Sequence, residues 1–315
     1  MLLLLCACAL SFSGCASGTS SAAATSTTSA SIAYAPGRAM WFWDGTGPNA
    51  SSTVVGNTAL ETKMIANMKA WNVTTLYGSY SSTLLGANAA TLRTWNAMLS
   101  SNGIHSYVLL SNTNYFLPED WAQAQGWILT NFVDFNAASA PGEGFAGLAL
   151  DVEPDSFAGT TGRTSWATSS LAVRRTYLTY FLNFLQSSRA LLNQNSASAA
   201  PIDTALAYWY AQLNTTIGWT DQNDVNQWFA ALGQVMTRVS IMDYFSSTQS
   251  LIQSRFVSEA SLLPAGVATV SLRYIVGYEW TNFAQFWQAV LTSESTNTVN
   301  VDLEDYDTMC VGEGV

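Results

Sequence analysis

The chain has 315 residues, 49% of them hydrophobic and 12% aromatic, enough to bury one large core and too many for a disordered or fibrous chain. Only 10% of residues are charged, and 21 acids against 11 Lys and Arg give a net charge of −10, which argues against a nucleic-acid partner. With so few charges the surface must be covered mainly by Ser, Thr, Asn and Gln, a coat common among exported proteins.

Residues 1–15 form an apolar run too short to span a bilayer and end in small residues, so they read as an export signal. Phe12-Ser-Gly-Cys15 resembles the bacterial lipobox, in which cleavage leaves a lipid-modified cysteine at the new N-terminus. Cys15 is therefore the candidate lipidation site. The protein is expected to be exported, either lipid-anchored to the cell envelope or secreted after cleavage at a small residue such as Ala16. That anchor would be its one membrane contact. Residues 16–33 are almost entirely Ser, Thr, Ala and Gly, a composition that cannot repay the entropy of ordering, and read as a flexible tether before a folded domain over 34–315. Cys310 is the only cysteine of that domain, so neither an internal disulfide nor a zinc-cysteine site can form. No metal or cofactor is expected, and a monomer is.

From Tyr34 onward, apolar runs of strand length alternate with longer amphipathic stretches. Strands are predicted at Ala39 to Trp43, Thr74 to Tyr77, Ser106 to Ser111, Gly147 to Glu153, Thr204 to Tyr210, Val239 to Tyr244, Tyr274 to Glu279 and Val299 to Leu303. Helices are predicted between them, such as Thr58 to Trp71, Leu171 to Leu192 and Phe283 to Leu291. Strands without clean polar alternation are covered on both faces, which indicates a parallel sheet. Eight such units fit an α/β fold of the (β/α)8 TIM-barrel type, with the last helix short or missing. An open doubly wound sheet is the alternative, but no Gly-rich phosphate turn follows the first strand.

His105 is the only histidine and precedes the third strand, on the wrong side of a barrel for chemistry, so His-cluster metal sites and Ser-His-Asp triads are disfavoured. Carboxylates remain. Asp151 and Glu153 are two apart on the fourth strand, so both project from one face at its carboxyl end before Pro154 turns the chain away. Acids or aromatics also end the first strand (Trp41, Trp43), the fifth (Trp209, Tyr210), the sixth (Asp243, Tyr244), the seventh (Glu279, Trp280) and the eighth (Glu304, Asp305). In a barrel these ends share one mouth. Acids with Trp and Tyr are what glycoside hydrolysis uses: one carboxyl protonates the leaving oxygen, a second acts as base or nucleophile, and flat rings pack on sugars. An isolated strand-end acid such as Asp305 can equally be a helix cap.

The fourth strand resembles that of family 18 glycoside hydrolases, whose motif D-G-x-D-x-D-x-E ends in the general acid. Ala146, Gly147, Ala149, Asp151 and Glu153 fall on its fixed positions, with alanine replacing the two outer aspartates. Met242-Asp-Tyr244 is similar to the same family's M-x-Y. The resemblance implies Glu153 as proton donor, with Asp151 and Tyr244 orienting an acetamido group. A second resemblance is to barrel glycosidases carrying acid/base and nucleophile glutamates after strands four and seven, which implies Glu153 and Glu279. The domain also resembles bacterial glycosidase-like barrels that combine D-V-E-P, M-x-Y, G-x-E and D-Y-D, here at Asp151 to Pro154, Met242 to Tyr244, Gly277 to Glu279 and Asp305 to Asp307.

Three functions follow as expectations. One is a glycoside hydrolase acting on an extracellular or cell-envelope polysaccharide or oligosaccharide, with Glu153, Glu279 and Asp151 catalytic. Asp243, Tyr244, Trp41, Trp43, Trp209, Tyr210, Trp280 and Asp305 would bind the substrate. Another is a barrel that binds glycans without cleaving them, on the same Trp and Tyr floor. The third is a structural surface lipoprotein.

Overall fold

The computed structural model describes residues 37–213, 216–297 and 300–314. The export signal, the tether and Cys15 lie outside the described residues.

Eight strands, β1 (Arg38–Phe42), β2 (Val73–Gly78), β3 (His105–Ser111), β4 (Gly147–Asp151), β5 (Ile202–Ala207), β6 (Arg238–Met242), β7 (Ala268–Arg273) and β8 (Val301–Glu304), pair in parallel in chain order. Met40 opposite Leu303 joins β1 to β8 and closes the barrel. The principal helices around it are α1 (Thr58–Ala70), α2 (Ala89–Ser101), α3 (Trp121–Ile128), α4 (Leu171–Gln194), α5 (Gln222–Val235), α6 (Gln249–Ala260), α7 (Phe283–Asn297) and α8 (Tyr306–Glu313). The chain is thus an α/β (β/α)8 barrel, and the last helix is present as eight residues. Local chemistry starts several of these helices: the side chains of Asn57, Ser170, Asp221 and Asp305 each accept a backbone N–H of the first turn. On α4, Tyr177, Phe181, Phe184, Leu185, Ser188 and Leu192 recur at helical spacing and form the buried stripe.

The seventh strand is displaced from its predicted place. Tyr274 to Glu279 is a loop, and the strand is Ala268-Thr-Val-Ser-Leu-Arg273 just before it. Its alternation looks like an exposed strand, yet all but Arg273 are buried, because this sector of the barrel interior is itself polar.

Closure sorts every strand by parity. Met40, Leu76, Val108, Leu148 and Leu150 pack outward against the helices, in the large core cluster. Ala39, Trp41, Tyr77, Tyr107, Leu109, Ala149, Ala205 and Met242 fill the barrel as a separate cluster. Beside them lies a buried polar network. Arg238 Nη1 donates to Asp302 Oδ1 at 2.9 Å and to the Tyr77 hydroxyl at 3.1 Å, and Ser240 and Thr269 each donate to Asp302 Oδ2 at 2.6 Å. Tyr77 in turn donates to Asp203 at 2.8 Å. Burial pulls Arg238 down to about 10 and pushes Asp203 well above the carboxylate range.

Both partners of the Arg238 and Asp302 pair are at most 1% exposed. Asp302→Ala would leave a buried guanidinium without its counter-charge, and is expected to cost ~3–5 kcal/mol of unfolding free energy. Urea unfolding followed by circular dichroism checks this, and adding Arg238→Met should recover much of the loss.

Candidate active site

The interior parity that fills the barrel continues to its carboxyl-end mouth. Asp151 ends β4, and Val152 turns outward into the helix-facing core, so Glu153 returns to the Asp151 side. The two carboxyls are close enough that the charge of Glu153 acts on Asp151. Ser111 Oγ on the neighbouring strand donates to Asp151 Oδ2 at 3.2 Å, and Ser156 Oγ donates to Glu153 Oε2 at 2.6 Å. Burial, then the charges of Glu153 and Glu304, push the Asp151 carboxyl well above its ordinary range.

Glu304 joins them from the end of β8. The Tyr244 hydroxyl donates to Glu304 Oε2 and lies 3.3 Å from Ser271 Oγ. Burial raises Glu304 to about 7, with Asp305 and Glu153 adding to the rise and the Tyr244 hydrogen bond and Arg273 opposing it. The Arg273 guanidinium sits 4.7 Å from the Tyr244 ring centroid. Behind Glu153, the buried Tyr210 hydroxyl donates to Asp155, whose carboxyl burial lifts to about 6.

Of the residues singled out in the sequence, Asp151, Glu153 and Tyr244 meet at this mouth. Trp41 and Trp43 stack in the first-strand sector with centroids 5.8 Å apart, but Trp41 is sealed in the barrel and only Trp43 reaches the surface. Trp43 lines a cleft of about 180 Å³ with Asp44, Asn49, Asp305 and Asp307.

The other predicted residues do different work. Asp243 follows Met242 on β6 and so faces away from the barrel interior, where it pairs with Arg255 of α6 at 3.1 Å and accepts from Ser246 at 2.5 Å. Asp305 is the N-cap of α8 in a reciprocal capping box with Thr308. Tyr210 is buried against Asp155, and Trp209 packs half-buried on Trp166 and Tyr210. Trp280 is buried against Phe286 and donates its indole N–H to the Arg273 carbonyl at 2.7 Å. Glu279, predicted to end the seventh strand, lies beyond it in the β7–α7 loop. Its side chain is 1% exposed and bound to Arg273 at 2.7 Å, and its Oε1 also accepts the Phe245 N–H at 3.1 Å. His105 opens β3 at the opposite end, in a polar cleft of about 480 Å³ with Asn96, Ser106 and Asn136.

Glu304, expected only as an acid at the end of the eighth strand and given no role there, shares an inward face with Asp302 because β8 runs to Glu304. Arg273 falls outside the predicted seventh strand and ends the observed one. Among the described residues, no group of three or more His, Cys, Asp or Glu is arranged to hold a metal ion.

No protein-family model matches the chain, and no curated protein matches it in sequence. Solved structures share its fold. The spore cortex-lytic enzyme SleL of Bacillus megaterium QM B1551 is similar at a TM-score of 0.50 and 10% identity, over 88% of this chain and 74% of that one. A family GH18 chitinase from Cycas revoluta in complex with allosamidin is similar at 0.44 and 12%, over 76% of this chain and 68% of that one. A Group II chitinase catalytic domain from Ostrinia furnacalis, in complex with penta-N-acetylchitooctaose, is similar at 0.42 and 11%, over 64% of this chain and 56% of that one. At these identities the likeness is one of fold alone, the (β/α)8 barrel.

The electrostatics of the mouth predict opposite responses to two substitutions. Glu153→Gln removes a negative neighbour and lowers the Glu304 pKa, whereas Tyr244→Phe removes a donor to the ionised form and raises it. Carboxyl-carbon NMR titration of Glu304 should show shifts of about half a unit to one unit in these directions.

Proposed function

We propose that the chain is a glycoside hydrolase acting on an extracellular or cell-envelope polysaccharide, with Glu153 as the general acid. The observation that carries this reading is the convergence of Asp151, Glu153 and Glu304 on one barrel mouth, each carboxyl in electrostatic contact with another. Glycoside hydrolysis needs a carboxyl that delivers a proton to the leaving oxygen and a second group acting at the other side of the sugar. Burial and neighbouring charge favour the protonated form of Asp151, and Glu153, the more exposed member, is the one placed to reach a glycosidic oxygen. Glu304, with a pKa of about 7, suits the second role as a proton acceptor for water. With Tyr244 it also suits orienting a polar sugar substituent. Glu279, sealed in its ion pair, suits holding a loop better than attacking a sugar.

One observation favours a second reading, a barrel that binds glycans without cleaving them. Ala149, two residues before Asp151 on the same inward face, is buried in the barrel core, so no further carboxyl stands beneath Asp151 on that strand. In either reading we propose an exported protein, lipid-anchored through Cys15 or secreted after cleavage.

Reducing-end release from a panel of polysaccharides tests the hydrolase. Glu153→Gln should lower the rate by ~10²–10⁴-fold with the unfolding temperature unchanged. Binding by the wild type without release from any panel member would instead establish the non-catalytic barrel.

A further inference from the structure

Phe245 and Tyr278 are 58% and 71% exposed, unlike the buried aromatics of the barrel core. Their rings meet edge to face, 5.6 Å between centroids and 85° between planes. They come from different loops, Phe245 from β6–α6 and Tyr278 from β7–α7, and both loops are pinned. Phe245 holds a left-handed backbone at φ +62°, which is costly for a bulky side chain, and its N–H is fixed by Glu279. The β7–α7 loop is a tight turn: the N–H groups of Glu279 and Trp280 both donate to the Ile275 carbonyl, and Gly277, at φ +75°, donates to the Trp280 carbonyl at 2.8 Å. Buried Trp280 anchors the turn from below. The Arg273 guanidinium lies 5.1 Å from the Phe245 ring centroid and 4.7 Å from that of Tyr244, which links the ring pair to the Glu304 side of the acid cluster.

We infer that Phe245 and Tyr278 form a stacking platform that extends the acid mouth and takes a hexopyranose ring of an uncharged polysaccharide. The inference rests on the glycan-directed reading of the mouth and adds the substrate class. Preformed, exposed rings pack against the C–H faces of a pyranose with little ordering cost, because the two loops are already fixed. The two cations beside it are each paired with a carboxylate, Arg273 with Glu279 at 2.7 Å and Arg255 with Asp243 at 3.1 Å, so the platform offers little to a uronate or sulfated sugar. The net charge of −10 repels anionic polymers as well.

Isothermal titration with cello-, laminari- and chito-hexaose, and with an oligogalacturonate as the anionic probe, tests this. The wild type should bind at least one neutral hexaose and bind the galacturonate more weakly than it. Phe245→Ala/Tyr278→Ala should weaken neutral binding by about tenfold or more. In the wild type, the bound sugar's ring protons should move upfield in NMR through the aromatic ring currents, a readout that does not depend on any variant folding. Equal binding by wild type and double variant overturns the platform and leaves the hydrolase reading intact. Neutral binding that needs both rings, without cleavage, keeps the platform and sinks the hydrolase. Preference for the galacturonate, or binding of no neutral hexaose, overturns the substrate class.

Discussion

Closing eight parallel strands into a barrel gives every second residue of every strand the same interior, and the rest of this molecule depends on that constraint. Residues one step apart face either the shared barrel interior, apolar in one sector and polar in another, or the apolar helix layer. Asp151 and Asp243 are both strand-end aspartates in similar sequence surroundings. One sits at the mouth beside Glu153 and the other in an ion pair with α6, because the first falls on the inward parity of β4 and the second on the outward parity of β6.

The same constraint links the lower barrel to the mouth. Arg238, Ser240, Thr269 and Asp302 form a buried network whose geometry fixes how β6, β7 and β8 lie against one another. Further up the same inward faces stand Tyr244, Ser271, Arg273 and Glu304, the donors, cation and carboxyl of one side of the mouth. A buried ion pair is a poor source of net stability, since desolvation offsets most of its attraction. The pair joins β6 to β8, the same two strands whose ends bring Tyr244 to Glu304.

Scarce cations shape the electrostatics. With 11 Lys and Arg against 21 acids, most acids cannot have an arginine. Those around the barrel pair Arg238 with Asp302, Arg255 with Asp243 and Arg273 with Glu279. Around Asp151 stand instead Glu153, Glu304 and Ser111, so burial and like charge both raise its pKa. Asp302, Asp243 and Glu279 are thus held in structural pairs, whereas Asp151 and Glu153 have each other and Glu304 as neighbours.

The sequence by itself determined the barrel class, seven of the eight strands to within a few residues, and the Asp151-Val-Glu153 wall of the mouth. Each follows from near-neighbour physics: apolar runs, caps and the two-residue period of a strand. Tertiary structure decided which of the remaining strand-end residues belong to the mouth. Tyr210, Trp280 and Trp41 look like sugar-binding rings in one dimension, yet packing across the sequence buries them, while Phe245 and Tyr278 stand in solvent. Glu279 and Glu304 look alike as acids near strand ends. Only the placement of β7 and the inward parity of β8 give Glu279 an arginine and a sealed loop, and set Glu304 beside Tyr244 on the Asp151 side. That difference is set by side chains meeting across strands far apart in sequence, and local pattern carries no record of it.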